Sequence, residues 1–170
     1  MRKFLATLVA TTLLAVPAYA DDWTGGYAGL GVGWADVDGT GGLSGDDVAY
    51  GLFIGYNQDL GDWVFGGELE YAWVDIDVGA GAQVDNISRL KLRAGYDFGE
   101  AIGYVAVGGA RADTTVGSDT GAVYGLGIDY AASEFVTISG EWLRHDFNNF
   151  NSTGVDIDAN SFTLRAAWRF

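Results

Sequence analysis

Eight segments of this chain alternate between apolar and polar residues with a period of two, and in each a set of uncharged, mostly apolar residues falls on one face. The segments run over 26–37, 47–59, 63–75, 86–98, 101–112, 121–132, 135–146 and 160–170. Side chains alternate across a strand, so each segment has one apolar face and one polar or charged face. Past residue 20, no stretch approaches the roughly 18 consecutive apolar residues of a spanning helix. A chain that meets lipid with strands has to close them on themselves, because hydrocarbon offers no partner to a free sheet edge. The expected fold is all-β: an eight-stranded antiparallel up-and-down transmembrane β-barrel.

The connections alternate in length. Short ones fall at Leu60–Asp62, Gly99–Glu100 and Ser133–Glu134, and longer polar ones at 38–46, 76–85, 113–120 and 147–159. Short periplasmic turns and longer extracellular loops are the arrangement of an outer-membrane barrel. The apolar faces place aromatics at two heights. Trp23, Tyr56, Trp63, Tyr96, Tyr104, Tyr130, Trp168 and Phe170 lie near the short-turn end. Trp34, Tyr50, Tyr71, Trp73, Tyr124 and Trp142 lie toward the long loops. Two aromatic girdles around an aliphatic band fit the two membrane interfaces. On the fifth segment this reading puts Ile102, Tyr104 and Ala106 toward lipid.

The opposite faces collect the charges. Glu68 and Glu70, Arg89, Lys91 and Arg93, Arg111, Asp129, Glu141, and Arg165 with Arg169 all point inward on this pattern, while Arg144 stands near an outer end. A hairpin centred near Ala80 sets Glu70 opposite Lys91 and Glu68 opposite Arg93; one centred near Thr153 sets Glu141 opposite Arg165. Opposite charges attract across a ladder, and buried ones need partners. Eight strands enclose a space just wide enough for side chains to fill, so the expectation is a lumen plugged by an internal charge network.

Met1–Ala20 has the parts of a cleaved signal peptide: Arg2 and Lys3, an apolar run over Phe4–Val16, and Ala18-Tyr19-Ala20 as the cleavage motif. The barrel domain is then 21–170. Removing Arg2 and Lys3 from the nine basic residues leaves seven against 23 acidic ones, which excludes a nucleic-acid partner. There is no cysteine, so neither disulfide nor thiolate chemistry is available.

Several stretches resemble a known family. Trp23-Thr-Gly-Gly-Tyr-Ala-Gly29, Arg93-Ala-Gly-Tyr-Asp-Phe-Gly99, Tyr104-Val-Ala-Val-Gly-Gly-Ala110, Gly125-Leu-Gly-Ile-Asp-Tyr130 and Glu141-Trp-Leu-Arg-His-Asp-Phe147 are similar to strands of small eight-stranded outer-membrane barrels. These are the OmpA/OmpX and opacity-type proteins, and in particular the "porin family" surface proteins of alphaproteobacteria. The resemblance implies the outer membrane of a Gram-negative cell, lipopolysaccharide as a neighbour, and a monomer with a role in envelope integrity or surface interaction. It implies no cofactor. The terminal Phe170 resembles the signal read by the barrel-assembly machinery.

Enzymatic chemistry finds little support. The only histidine, His145, would need a nucleophile, and the position two residues on is Phe147; Ser152 lies in the adjoining loop. The expected place for His145 is the membrane interface. Asp-x-Asp pairs at 36/38, 75/77 and 156/158 offer oxygen ligands to Ca²⁺ or Mg²⁺, but no segment has full Ca²⁺-loop spacing, so solvated acidic loops are the reading. These loops are where an extracellular ligand would bind. The function expected is a non-enzymatic structural or surface-interaction barrel. The alternative is a narrow passive channel for small solutes or ions, and a soluble lipid carrier is disfavoured by the charged interior.

Overall fold

The computed structural model describes residues 22–39, 43–79, 82–114, 117–147 and 157–170; the side chains of 38–39, 43–44, 75–79 and 82–84 also fall outside that description. The expected leader Met1–Ala20 and Ser152 lie outside the described residues, as do the side chains of Asp38, Asp75, Asp77 and Asp156.

The described residues form eight antiparallel strands: β1 (Gly25–Gly39), β2 (Leu43–Asp59), β3 (Trp63–Gly79), β4 (Ala82–Asp97), β5 (Ala101–Thr114), β6 (Gly117–Ala131), β7 (Val136–Phe147) and β8 (Ile157–Arg169). Each pairs with its neighbour in sequence, and β1 pairs with β8 from Tyr27↔Arg169 to Gly39↔Ile157. The sheet is therefore a closed barrel with no unpaired edge, which is what lipid demands of a strand-built span.

Local chemistry sets the three short turns. Gly61 and Gly99 adopt left-handed φ values of 94° and 89°, and their amides donate to the carboxylates of Asp59 (2.8 Å) and Asp97 (2.7 Å). This aspartate-capped turn uses glycine where other residues would be strained. The third turn has no glycine; there Ser133 Oγ accepts from the amide of Val136 at 3.1 Å.

At the other end the strands run further than the apolar pattern. β3 ends at Gly79 and β4 starts at Ala82, while β5 ends at Thr114 and β6 starts at Gly117. The expected loops 76–85 and 113–120 are thus largely ladder. Apolar alternation stops where lipid stops, but backbone pairing does not need it, so Asp, Gly, Ser and Thr carry the sheet past the membrane.

Outward positions match the expected lipid face on seven strands. Leu30, Leu52, Ile54, Leu69, Leu90, Leu92, Leu126, Ile128 and Leu164 are exposed in the middle band. Trp34, Tyr50, Tyr71, Trp73, Tyr124 and Trp142 are exposed toward the long loops, and Tyr56, Trp63, Tyr96, Tyr130, Trp168 and Phe170 toward the short turns. Neighbouring rings pack edge-on in both belts, as in Tyr71–Trp73 (5.0 Å between centroids) and Trp63–Tyr96 (5.6 Å).

β5 is the exception, and its expected faces are reversed. Ile102, Tyr104 and Ala106 are buried in the lumen, while Val105 and Val107 face outward. The register explains this. Arg93 lies opposite Ala106, Lys91 opposite Gly108 and Arg89 opposite Ala110, so each long cation of β4 meets a small residue of β5. A Cβ on Gly108 would run into the Leu90 carbonyl and the Lys91 Cα. With the small residues turned in, Val105 and Val107 cover the outside.

Candidate functional site: a buried charge network

Four carboxylates and four cations meet in the lumen: Glu68, Glu70, Asp129 and Glu141 with Arg89, Lys91, Arg93 and Arg165, all buried. Lys91 is at the centre. Its ammonium, 0% exposed, lies 2.9 Å from Glu68 Oε1, 2.8 Å from Glu70 Oε2 and 2.6 Å from Glu141 Oε1. Those three carboxylates, from β3 and β7, have oxygens within 4.8 Å of one another. The trio has the composition of a hard-cation site, and the Lys91 ammonium supplies its positive charge.

The other cations enclose this centre. Arg89 Nη1 reaches Glu70 Oε1 at 2.9 Å. Arg165 Nη2 reaches Glu68 Oε1 at 2.6 Å and its Nη1 reaches Glu141 Oε2 at 3.2 Å. Arg93 bonds Asp129 through Nη2 and lies 3.5 Å from Glu68 Oε2. β3, β4, β6, β7 and β8 are thereby tied together across the interior. Each of these buried charges has an opposite charge beside it, which makes its burial tolerable, although among the described residues Glu68 Oε1, Asp129 Oδ1 and Arg93 Nε carry no hydrogen bond.

Aromatics complete the network. Tyr27 Oη donates to Glu68 Oε2 at 2.9 Å and accepts from Arg93 Nη1 at 2.9 Å. Tyr104 Oη donates to Glu141 Oε2 at 3.0 Å, and the Arg93 guanidinium lies 3.7 Å from the Tyr104 ring centroid. The Arg165 guanidinium covers Phe53 at the same separation of 3.7 Å. Face-on guanidinium contacts of this kind are attractive, more so when desolvated. Tyr104→Phe removes one charge-assisted hydrogen bond and is expected to cost about 1–3 kcal/mol, read as a lower urea midpoint of the detergent-folded protein.

The register differs from the expected one. Glu68 lies opposite Lys91 and Glu70 opposite Arg89, two residues from the simple hairpin count. Irregularities between Trp73 and Ile76 and between Asp77 and Gly79 absorb the shift. In the last hairpin Ser139, not Glu141, lies opposite Arg165. The ion pairs Glu70–Lys91, Glu68–Arg93 and Glu141–Arg165 nevertheless form on the diagonal, because long side chains span that distance.

Four other residues stand elsewhere than expected. Arg111 points outward at the rim, with Nε 3.4 Å from Asp113 Oδ1 and Nη2 2.8 Å from Ser118 Oγ. Its displacement follows from the reversal of β5. Arg169 is half-buried at the short-turn mouth, where Nη2 donates to the Ser133 carbonyl at 3.1 Å. It lies over the Trp23 ring at 4.8 Å and has no carboxylate within ion-pair distance among the described residues. Trp23 is buried at that mouth instead of in the interface, its Nε1 donating to the Gly99 carbonyl at 3.2 Å. It shares strand parity with Tyr27, which also faces in. His145 is buried inside the lumen, where Nε2 accepts from Arg89 Nε at 2.7 Å.

Sequence reasoning left Tyr27 and Phe53 out of the interior set, although both carry the inward parity of their strands. Arg144 is at the outer rim, 3.0 Å from Asp146 and 2.8 Å from Asp158. There the ladder sets Asp36 opposite Asp46 and Asp146 opposite Asp158, leaving the rim acidic.

A closed barrel with an apolar belt, two aromatic girdles and charges confined to its interior or rim is the architecture of a membrane-spanning β-barrel. The model of the outer membrane protein beta-barrel domain matches residues 6–170, and the chain belongs to that family. It is an outer-membrane β-barrel protein. A 22 kDa outer membrane protein of Rhizobium leguminosarum bv. viciae is 26% identical over 154 residues, covering 82% of this chain and 72% of the relative. The 25 kDa outer-membrane immunogenic protein of Brucella melitensis biotype 1 is 30% identical over 179 residues, covering 91% and 81%. Among solved structures, Neisserial surface protein A matches with a TM-score of 0.65 at 14% identity, covering 86% of this chain and 98% of that one. The attachment invasion locus protein of Yersinia pestis matches at 0.51 and 15%, covering 86% and 99%. Both structures share the fold.

Proposed function

We propose that this protein is a non-conducting, non-enzymatic structural barrel of the outer membrane, held shut by its charge network and available for interaction through its acidic rim. The observation that carries the reading is Lys91, fully buried and shared among carboxylates from β3 and β7. A conducting path would have to pass this centre, and an eight-stranded interior leaves little width beside it. Against an enzyme stands the setting of His145, which is engaged by Arg89 inside the lumen and turned away from the interface where a lipid substrate would arrive.

At the rim, Asp36 faces Asp46 and Asp146 faces Asp158 across the ladder, an acidic edge that divalent cations would bridge to lipopolysaccharide phosphates. Phe170 pairs with Gly26 through both backbone hydrogen bonds (2.8 and 3.0 Å), extending the seam between β1 and β8. The role is tested in a deletion strain. A structural barrel predicts greater sensitivity to detergent and chelator, restored by the plasmid-borne gene, with unchanged uptake of small sugars. Slowed sugar uptake with an intact envelope would favour the channel instead.

A further inference from the structure

The four network cations are not partnered alike. Lys91, Arg93 and Arg165 each engage two or more carboxylates. Arg89 divides itself between Glu70 and an imidazole: its Nε donates to His145 Nε2 at 2.7 Å. That bond requires Nε2 to be an acceptor, so the bonded ring is neutral with its proton on Nδ1. His145 is 1% exposed, stacked beside Phe147 with an interplanar angle of 2°. Its ladder partners on β6 and β8 are Val123 and Ala159, which are apolar. The charged groups acting on it are Arg89 and Lys91 from β4 and Glu70 from β3.

We infer that the Arg89–His145 bond is a proton-sensitive latch between β4 and β7, at the long-loop side of the charge network. A proton on Nε2 removes the acceptor and sets imidazolium against guanidinium in a buried setting. The proton is therefore taken up by the released ring and not by the latched one. A free imidazole titrates near pH 6.5, so each pH unit below that favours release about tenfold. The sign follows: the released or unfolded state binds a proton that the latched state does not, so stability is full above about pH 6.5 and falls as the pH drops. Mild acid thereby loosens the outer part of the lumen.

The test uses the tag-free full barrel folded in detergent micelles, with unfolding midpoints measured at pH 8 and pH 5.5. The wild-type midpoint is expected to fall by about 3–6 °C, the scale of one proton's linkage over one pH unit for a chain of this size. His145→Gln keeps an acceptor oxygen but takes up no proton in this range, and is expected to lose less than a third of that amount. Equal falls in the two proteins would overturn the latch. Should His145→Gln not fold, the wild type still decides, because the chain has a single histidine and its ¹⁵N signals need no assignment. At pH 7 the latch requires Nδ1 protonated and Nε2 bare. The opposite tautomer, or a doubly protonated ring, would overturn it.

Discussion

Lys91→Met is expected to be among the most damaging single substitutions in the barrel, lowering stability by about 3–5 kcal/mol. Methionine fills much of the same space, so the loss is electrostatic. It leaves Glu68, Glu70 and Glu141, whose oxygens lie within 4.8 Å of one another, without the ammonium they share. Arg165 still reaches two of the three and Arg89 the other, which keeps the cost within that range instead of dissolving the fold. The measurement is a urea titration of protein folded in detergent or short-chain lipid. Arg144→Met is the control. Its side chain is 36% exposed and paired at the rim, so its removal should leave the urea midpoint nearly unchanged. Comparable losses in both variants would mean that the interior network has no special weight.

Val105→Arg has the second largest expected effect, about 2–4 kcal/mol. Val105 is 57% exposed on the outer face of β5, between Gly103 and Val107, in the middle of the apolar belt. Arginine there would stand in hydrocarbon with no acid in reach. Were Tyr104 the lipid-facing residue, Val105 would point into the lumen, and arginine would join an interior already rich in carboxylates. The equilibrium folding of Val105→Arg into lipid vesicles separates the two orientations. A variant as stable as the wild type would contradict the outward placement of Val105.

The contrast between strands shows what alternation alone can determine. On β3, β4 and β8 each face has a different chemistry, Leu69 and Leu90 outside against Glu70 and Arg89 inside, so period-two reading assigns the faces without help. β5 carries apolar or small residues on both faces through Ile102-Gly-Tyr-Val-Ala-Val-Gly-Gly-Ala110. Alternation has nothing to discriminate there, and the larger ring of Tyr104 drew the assignment to the wrong side. A signal was present in the turn. With Phe98 donating to the Ala101 carbonyl across Gly99–Glu100, Phe98 and Ala101 share a face, and Phe98 outside forces Gly103 and Val105 outside with it.

The site was readable as a set of inward charges on β3, β4 and β6–β8, but not as a geometry. The two-residue displacement of Glu68 and Glu70 depends on irregularities between Trp73 and Gly79, in a stretch, Trp-Val-Asp-Ile-Asp-Val-Gly, whose continued alternation gives no sign of them. His145 escaped because a lone histidine near a strand end resembles an interfacial residue, while its parity with Glu141 and Leu143 turned it in. Trp23 escaped for the complementary reason: an aromatic next to a short turn fits a girdle by height, and only its odd parity with Tyr27 distinguishes it.

On the proposed reading, the buried charges close the lumen. Planar-bilayer recording of the refolded wild-type protein tests it most directly. Electrical silence is expected at neutral pH, with at most brief leak events, because the Lys91 centre and the surrounding guanidinium pairs occupy the interior. Stable, reproducible unitary openings of the wild type would contradict it and establish the narrow channel in its place.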